Sequence, residues 1–126
     1  MNINSMEIYV GTDIEKVEKF ASFVYDKSNN FLQRIFNTSE LDYCFSKADP
    51  KQHLTARYAA KESIVKALSS SGIEGVDYKD IIIANDEKGV PLVKITSDIV
   101  SKNIKVRLSL SHTDETAIAF SLIIKN

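Results

Sequence analysis

The sequence predicts an α+β fold in which a mainly antiparallel sheet packs on one long central helix. Asp49 to Leu68 has the start, stop and periodicity of a helix of about five turns. A β-rich segment and further helical segments precede it, whereas apolar segments of period two follow it, and that order points to α+β. No repeat, low-complexity tract or linker divides the 126 residues, so the expectation is one domain over residues 1–126.

Glu7-Ile-Tyr-Val10 is rich in β-formers and reads as a strand that Gly11 ends. Asp13 then precedes Val17, Phe20, Phe23 and Val24 at helical spacing, which predicts a helix from about Ile14 to Tyr25. Asp13 has two readings there: the N-cap of that helix, worth about 1 kcal/mol, or a hard-metal ligand at a strand's end. A carboxylate has lone pairs enough for both. Asp26-Lys-Ser-Asn-Asn30 is a polar turn, and Phe31 to Phe36 returns to the core. Thr38 or Ser39 is expected to cap a short helix bearing Leu41, Tyr43 and Phe45, with Glu40 and Asp42 in its first turn. Cys44 is the single cysteine, so an intramolecular disulfide and a multi-thiolate zinc site are excluded, and it reads as a small buried side chain.

In the central helix Asp49 offers a capping carboxylate, Pro50 suits the first turn and Gly72 stands just past the end. Leu54, Tyr58, Ile64, Val65 and Leu68 gather on one side; Ala56, Ala59, Ala60, Ser63 and Ala67 gather nearly opposite, so the helix should be packed on both. Lys61 falls inside the apolar stripe and needs a partner, because an unpaired buried charge costs several kcal/mol. Glu62 and Lys66 form an i,i+4 pair on the seam. That pair is either an ordinary surface ion pair, worth about 0.2–0.5 kcal/mol, or part of a site.

Ser69 to Gly72 is a loop. Ile81 to Ala84 and Leu92 to Thr96 flank a turn at Lys88-Gly89 and predict a hairpin. Val106, Leu108 and Leu110, then Ile118, Phe120, Leu122 and Ile124, alternate as two more strands joined by Ser111 to Glu115.

A net charge of −1 argues against general affinity for nucleic acid or anionic membrane, and an RNA-binding sheet would need more strand aromatics than Phe120. No stretch reaches the roughly 20 apolar residues of a membrane span, and residues 1–6 lack the features of a signal peptide, so a cytoplasmic location is expected. Nucleotide-binding glycine loops, G-x-S-x-G and Cys/His clusters are missing. His53 is expected at the surface; His112 either donates to a phosphate or steadies a turn. What remains is two carboxylates, Asp13 and Glu62, basic Arg57, Lys61 and Lys66 on one helix, and a Ser-His-Thr loop. Oxygen ligands beside cations suit Mg²⁺ shared with a substrate's phosphates, which makes a phosphate-containing substrate the expectation.

Four blocks in order carry a resemblance over nearly the whole chain: Val10-Gly-Thr-Asp-Ile14, Arg34-Ile-Phe-Asn-Thr-Ser-Glu-Leu41, Ala56-Arg-Tyr-Ala-Ala-Lys-Glu-Ser-Ile-Val-Lys-Ala67 and Leu108-Ser-Leu-Ser-His-Thr113. The third is the specific one. Together they resemble the holo-[acyl carrier protein] synthases, small 4′-phosphopantetheinyl transferases. The resemblance implies transfer of the phosphopantetheine arm of coenzyme A to a serine of apo acyl carrier protein, with 3′,5′-ADP released. It implies Mg²⁺ between Asp13, Glu62 and the coenzyme A pyrophosphate, Glu62 taking the serine proton directly or through water, and Lys66 stabilising or protonating the leaving phosphate. It also implies phosphate contacts from Arg57, Lys61, His112 and Thr113, a cleft turn at Gly89 to Pro91, carrier-protein docking on Lys19 and Arg34, and a homotrimer with sites between protomers.

The chain departs from the family pattern at Thr12, at Lys19 where an arginine is common, and at Ser69 and Ser71 where glycines are common. Lys19 lacks the bidentate fork of arginine. The alternative is a non-catalytic module of the same fold that binds a nucleotide or carrier protein; retention of Asp13, Glu62 and Lys66 speaks against it.

Overall fold

The computed structural model describes residues 5–24, 26 and 28–126. Strand β1 (Glu7–Lys16) is followed by a short 3-10 turn at Val17–Phe20, then α1 (Asn30–Ile35), α2 (Thr38–Phe45) and the long α3 (Pro50–Ser70). Four strands follow: β2 (Ile81–Asn85), β3 (Pro91–Ile95), β4 (Ile104–His112) and β5 (Thr116–Lys125). Strand β5 lies between β1 and β4, antiparallel to both, while β2 and β3 form a separate antiparallel hairpin. The α+β expectation holds, with the antiparallel strands divided between two sheets.

Strand β1 does not stop at Gly11. Its ten residues pair in register with β5, which satisfies backbone groups that a helix would otherwise have to bond internally. Alternation puts Gly11 and Asp13 inward and Thr12 and Ile14 outward. Asp13 is therefore a strand residue opposite Ala119, not a helix cap. The helix expected from Ile14 shrinks to the 3-10 turn, where Val17 and Phe20, three apart, both face the core. Its expected end at Tyr25, and Lys27 of the polar turn, lie outside the described residues.

Gly11 serves close packing. A Cβ there would collide with the carbonyl oxygen of Ser63 and lie 2.8 Å from the Ala67 nitrogen, so β1 rests directly on the backbone of α3. The small face of α3 makes this possible: Ala59, Ala60, Ser63 and Ala67 are all buried. The same core takes in Ile64 and Leu68 of α3, Ile81 and Ile83 of β2, and Ala119 and Ile123 of β5. A second core of Phe20, Leu32, Phe36, Leu41, Cys44 and Leu54 fills the space below α1 and α2. Cys44 is buried as expected, and burial pushes its thiol up to about 12.

Two caps differ from expectation. Asn37, not Thr38 or Ser39, caps α2: its Oδ1 accepts from Glu40 N at 2.9 Å, and Glu40 Oε1 accepts from Asn37 N at 3.1 Å. The Asp49 carboxylate accepts from Lys51 Nζ at 2.7 Å instead of from the helix end. Gly72 follows α3 at φ +92°, in the left-handed region that favours glycine. Among the described residues no helix is long and apolar enough to cross a membrane.

Candidate active site

Where β1 crosses α3, the inward pleat of one meets the seam of the other. Lys66 Nζ donates to Asp13 Oδ1 at 3.1 Å and to the Thr12 carbonyl at 3.0 Å. Lys66 thus bonds β1 rather than its expected i,i+4 partner Glu62. The Glu62 carboxylate instead accepts from the Tyr78 hydroxyl, which stands in the short turn before β2. Burial raises the Tyr78 pKa first, and the charges of Glu62 and Asp13 raise it further. The contacts seen are Lys66 with Asp13, and Tyr78 with Glu62, which stands one helical turn before Lys66 on α3.

Glu15 joins them from the same face of β1. Burial, then hydrogen bonding and repulsion from Asp13, hold its carboxyl at about 7, against the pull of Lys19. Lys19 Nζ lies 3.4 Å from Glu15 Oε1 and 4.1 Å above the Tyr58 ring. Sequence reasoning missed Glu15 and Tyr78. Strand alternation from Asp13 finds the first once β1 is known to continue; nothing local marks Tyr78.

Lys61 is placed otherwise than the resemblance implied. Its side chain is 0% exposed, and its Nζ donates to Glu40 Oε1 at 2.7 Å and to the Tyr78 carbonyl at 2.8 Å. Glu40 Oε2 also accepts from Ile83 N at 2.9 Å. The pair ties α2, α3 and β2 together and leaves Lys61 no path to a ligand's phosphate. It is the partner the apolar stripe demanded.

Arg57, Gly89, Pro91 and His112 converge on a different place, a cleft of about 450 Å³ between α3, the β2–β3 hairpin and β4. Arg57 Nη2 donates to Asn85 Oδ1 at 2.7 Å, its guanidinium covers the Tyr43 ring at 4.2 Å, and its buried Nε has no hydrogen-bond partner among the described residues. Asn85, also missed from sequence, donates in turn to the Gly89 carbonyl at 3.1 Å. Gly89 takes φ +84°, and Asp86 Oδ1 accepts from Lys88 N and Val90 N, so the hairpin tip is as expected. Thr113 lies just beyond β4, and its Oγ1 accepts from Glu115 N and Thr116 N, a turn-steadying role. His53, expected at the surface, is half-buried in the cleft wall. Arg34 is exposed in the last turn of α1.

Among the described residues no group of three or more His, Cys, Asp or Glu side chains is set to hold a metal. The donors present still fit a hard divalent cation. Mg²⁺ typically takes one or two protein carboxylates and completes its shell with water and phosphate, and the buried Asp13 Oδ2 has no hydrogen-bond partner among the described residues.

Fold and site together define a small α+β enzyme-like domain whose acidic centre lies apart from a cationic cleft. The model of the 4′-phosphopantetheinyl transferase superfamily matches residues 9–121, and the chain belongs to that family. A holo-[acyl-carrier-protein] synthase of a Thermoanaerobacter species is 40% identical over 124 residues, covering 94% of this chain and 88% of the relative. The Helicobacter pylori holo-[acyl-carrier-protein] synthase in complex with coenzyme A superposes with a TM-score of 0.73 at 26% identity, over 90% of this chain and 98% of that one. The acyl carrier protein synthase–coenzyme A complex described as from Chronobacterium ammoniagenes gives 0.79 at 22% identity, over 95% and 98%, and speaks for the fold alone.

Proposed function

We propose that residues 1–126 act as one phosphopantetheinyl transferase domain, moving the 4′-phosphopantetheine arm of coenzyme A to a serine of apo acyl carrier protein. The observation that carries this reading is the Asp13–Lys66 pair with one buried carboxylate oxygen unspent, on the helix that bears Glu62 one turn before Lys66. In the reaction the serine oxygen bonds to the phosphorus that bears pantetheine, the bond from that phosphorus to the bridging oxygen breaks, and 3′,5′-ADP leaves. Glu62 takes the serine proton, directly or through water, while Tyr78 holds its carboxylate in place. Lys66, 54% exposed, turns its ammonium toward the leaving phosphate and stabilises or protonates it. Asp13 and Glu62 would hold Mg²⁺, which when bound neutralises charge on the phosphates.

Arg57, Gly89, Pro91 and His112 would cradle the nucleotide end, with Thr113 beside them; Lys19 and Arg34 would meet the acidic carrier protein. Arg57 and Glu62 are five residues apart, hence about 140° apart around α3, so one protomer's cleft and its own carboxylates open in different directions. Sites shared between the protomers of a homotrimer reconcile this. The outer face of β1 and β5 supplies an apolar surface for assembly: Ile8, Val10, Ile14, Ile118 and Phe120 are 41–65% exposed. A cytoplasmic location goes with these partners.

The test is intact-mass measurement of apo carrier protein incubated with the protein, coenzyme A and Mg²⁺, with and without chelator. The expected result is a gain of one phosphopantetheine that chelation prevents. Glu62→Ala should remain folded and abolish the gain; full activity in that variant would discard the site.

A further inference from the structure

His53 lies one helical turn before Arg57 on α3, and both side chains line the cationic cleft. Its ring packs edge-on to Tyr43, with centroids 5.8 Å apart and planes at 80°. The same tyrosine ring carries the Arg57 guanidinium at 4.2 Å and the Lys47 ammonium at 4.5 Å. Three nitrogen bases thus share one aromatic support, and His112 enters the cleft from β4. None of the described residues lining the cleft is acidic. The buried Arg57 Nε is an unspent donor in its wall. Such a lining suits an anion of more than one charge.

We propose that His53 is a further phosphate-reading residue of this cleft, specific for a terminal phosphate monoester on the ligand. The proposal rests on the reading that coenzyme A binds here, and adds to it a residue and a proton. A monoester carries between one and two negative charges near neutral pH, more than a phosphate linked on two sides. Arg57 is the one permanent cation among the described residues lining the cleft, so a dianion draws further positive charge from the nearest base that can supply it.

In the free protein the surroundings of that base disfavour its charged form. Burial lowers the His53 pKa most, then Arg57 on its own helix, Lys47 after α2 and His112 from β4, while Asp49 at the start of α3 pulls the other way. The hairpin contributes only neutral Asn85, Gly89, Val90 and Pro91 to the lining. A dianionic phosphate against the ring reverses the sign of this field, and binding takes up a proton.

Calorimetric titration of the Mg²⁺-loaded protein with coenzyme A, in two buffers of different ionisation enthalpy near pH 7, reads that proton. His53→Phe keeps an aromatic ring on Tyr43, and the difference between wild type and variant cancels the ligand's own ionisation. Net uptake should fall by roughly half a proton in the variant, and the wild-type gain in affinity from pH 8 to 6, bounded by about tenfold per unit for one proton, should flatten. His53→Gln should do the same, which guards against a packing effect of phenylalanine. With coenzyme A lacking its 3′-phosphate, wild type and variants should take up protons equally. Unchanged uptake in the variants, or an equal difference with the dephosphorylated ligand, overturns the assignment of His53 while coenzyme A binding stands. Absence of any binding of coenzyme A to the wild type removes the functional reading and this inference with it.

Discussion

Two lysines five residues apart on α3 each hold a carboxylate from another element, and only one of the two pairs is closed. At Glu40–Lys61 both side chains are at most 1% exposed, and the Glu40 oxygens together meet Lys61 Nζ, Asn37 N and Ile83 N. At Asp13–Lys66 the lysine side chain is 54% exposed and Asp13 Oδ2 has no hydrogen-bond partner among the described residues. A buried ion pair whose bonds are all made is a fastener. One that leaves an oxygen unspent and a cation open to solvent has capacity for a ligand.

The largest expected effect tests the fastener. Glu40→Ala strands the Lys61 charge and should cost about 3–5 kcal/mol, read as a lower urea midpoint, whereas Glu40→Leu with Lys61→Met should recover most of it. A single-variant cost below about 1 kcal/mol, the range of an exposed pair, would erase the distinction. Lys66→Met should lower the urea midpoint less than Glu40→Ala, because half of its side chain lies in solvent, while single-turnover transfer slows about 10²-fold, the effect of losing one donor to developing charge. Smaller still, Tyr78→Phe removes one hydrogen bond to Glu62, worth about 1.5 kcal/mol, so transfer should slow roughly tenfold and its pH profile should shift. A shift in stability alone would reduce Tyr78 to a packing residue.

The finest test uses Glu15, held at about 7 against an ordinary 4.5, chiefly by burial and then by Asp13. Its folded value is raised, so its contribution to stability is complete below the ordinary value and is lost as pH rises through the folded one. Without divalent cation, thermal stability should fall from pH 5 to pH 8, and Glu15→Gln should flatten part of that slope. An unchanged slope would mean that burial and Asp13 do not hold Glu15 above its ordinary value, and that the open pair is less acidic than described.

Much of the molecule was legible because its signals are local. Helix α3 announced itself by Pro50, Gly72 and two opposed faces, the last strands by alternation, and the hairpin by Lys88-Gly89. The need for a partner at Lys61 followed from its place in an apolar stripe. Residue type and spacing singled out Asp13, Glu62 and Lys66 as candidates, while an arrangement for them came only from the family resemblance.

The arrangement depended on contacts between distant segments. Val17 and Phe20 have helical spacing, yet pairing with β5 turned the preceding residues into strand and moved Asp13 from a cap to an inward carboxylate. Lys66 chose Asp13 over its own helix neighbour, Lys61 chose Glu40 over a ligand, and Tyr78 and Asn85 were recruited from loop and hairpin. Periodicity and capping act within a few residues, and the sequence by itself determined what they control. Which acid meets which base is decided by packing across the whole chain, where desolvation penalises every charge left unpaired, and only the tertiary structure could decide it.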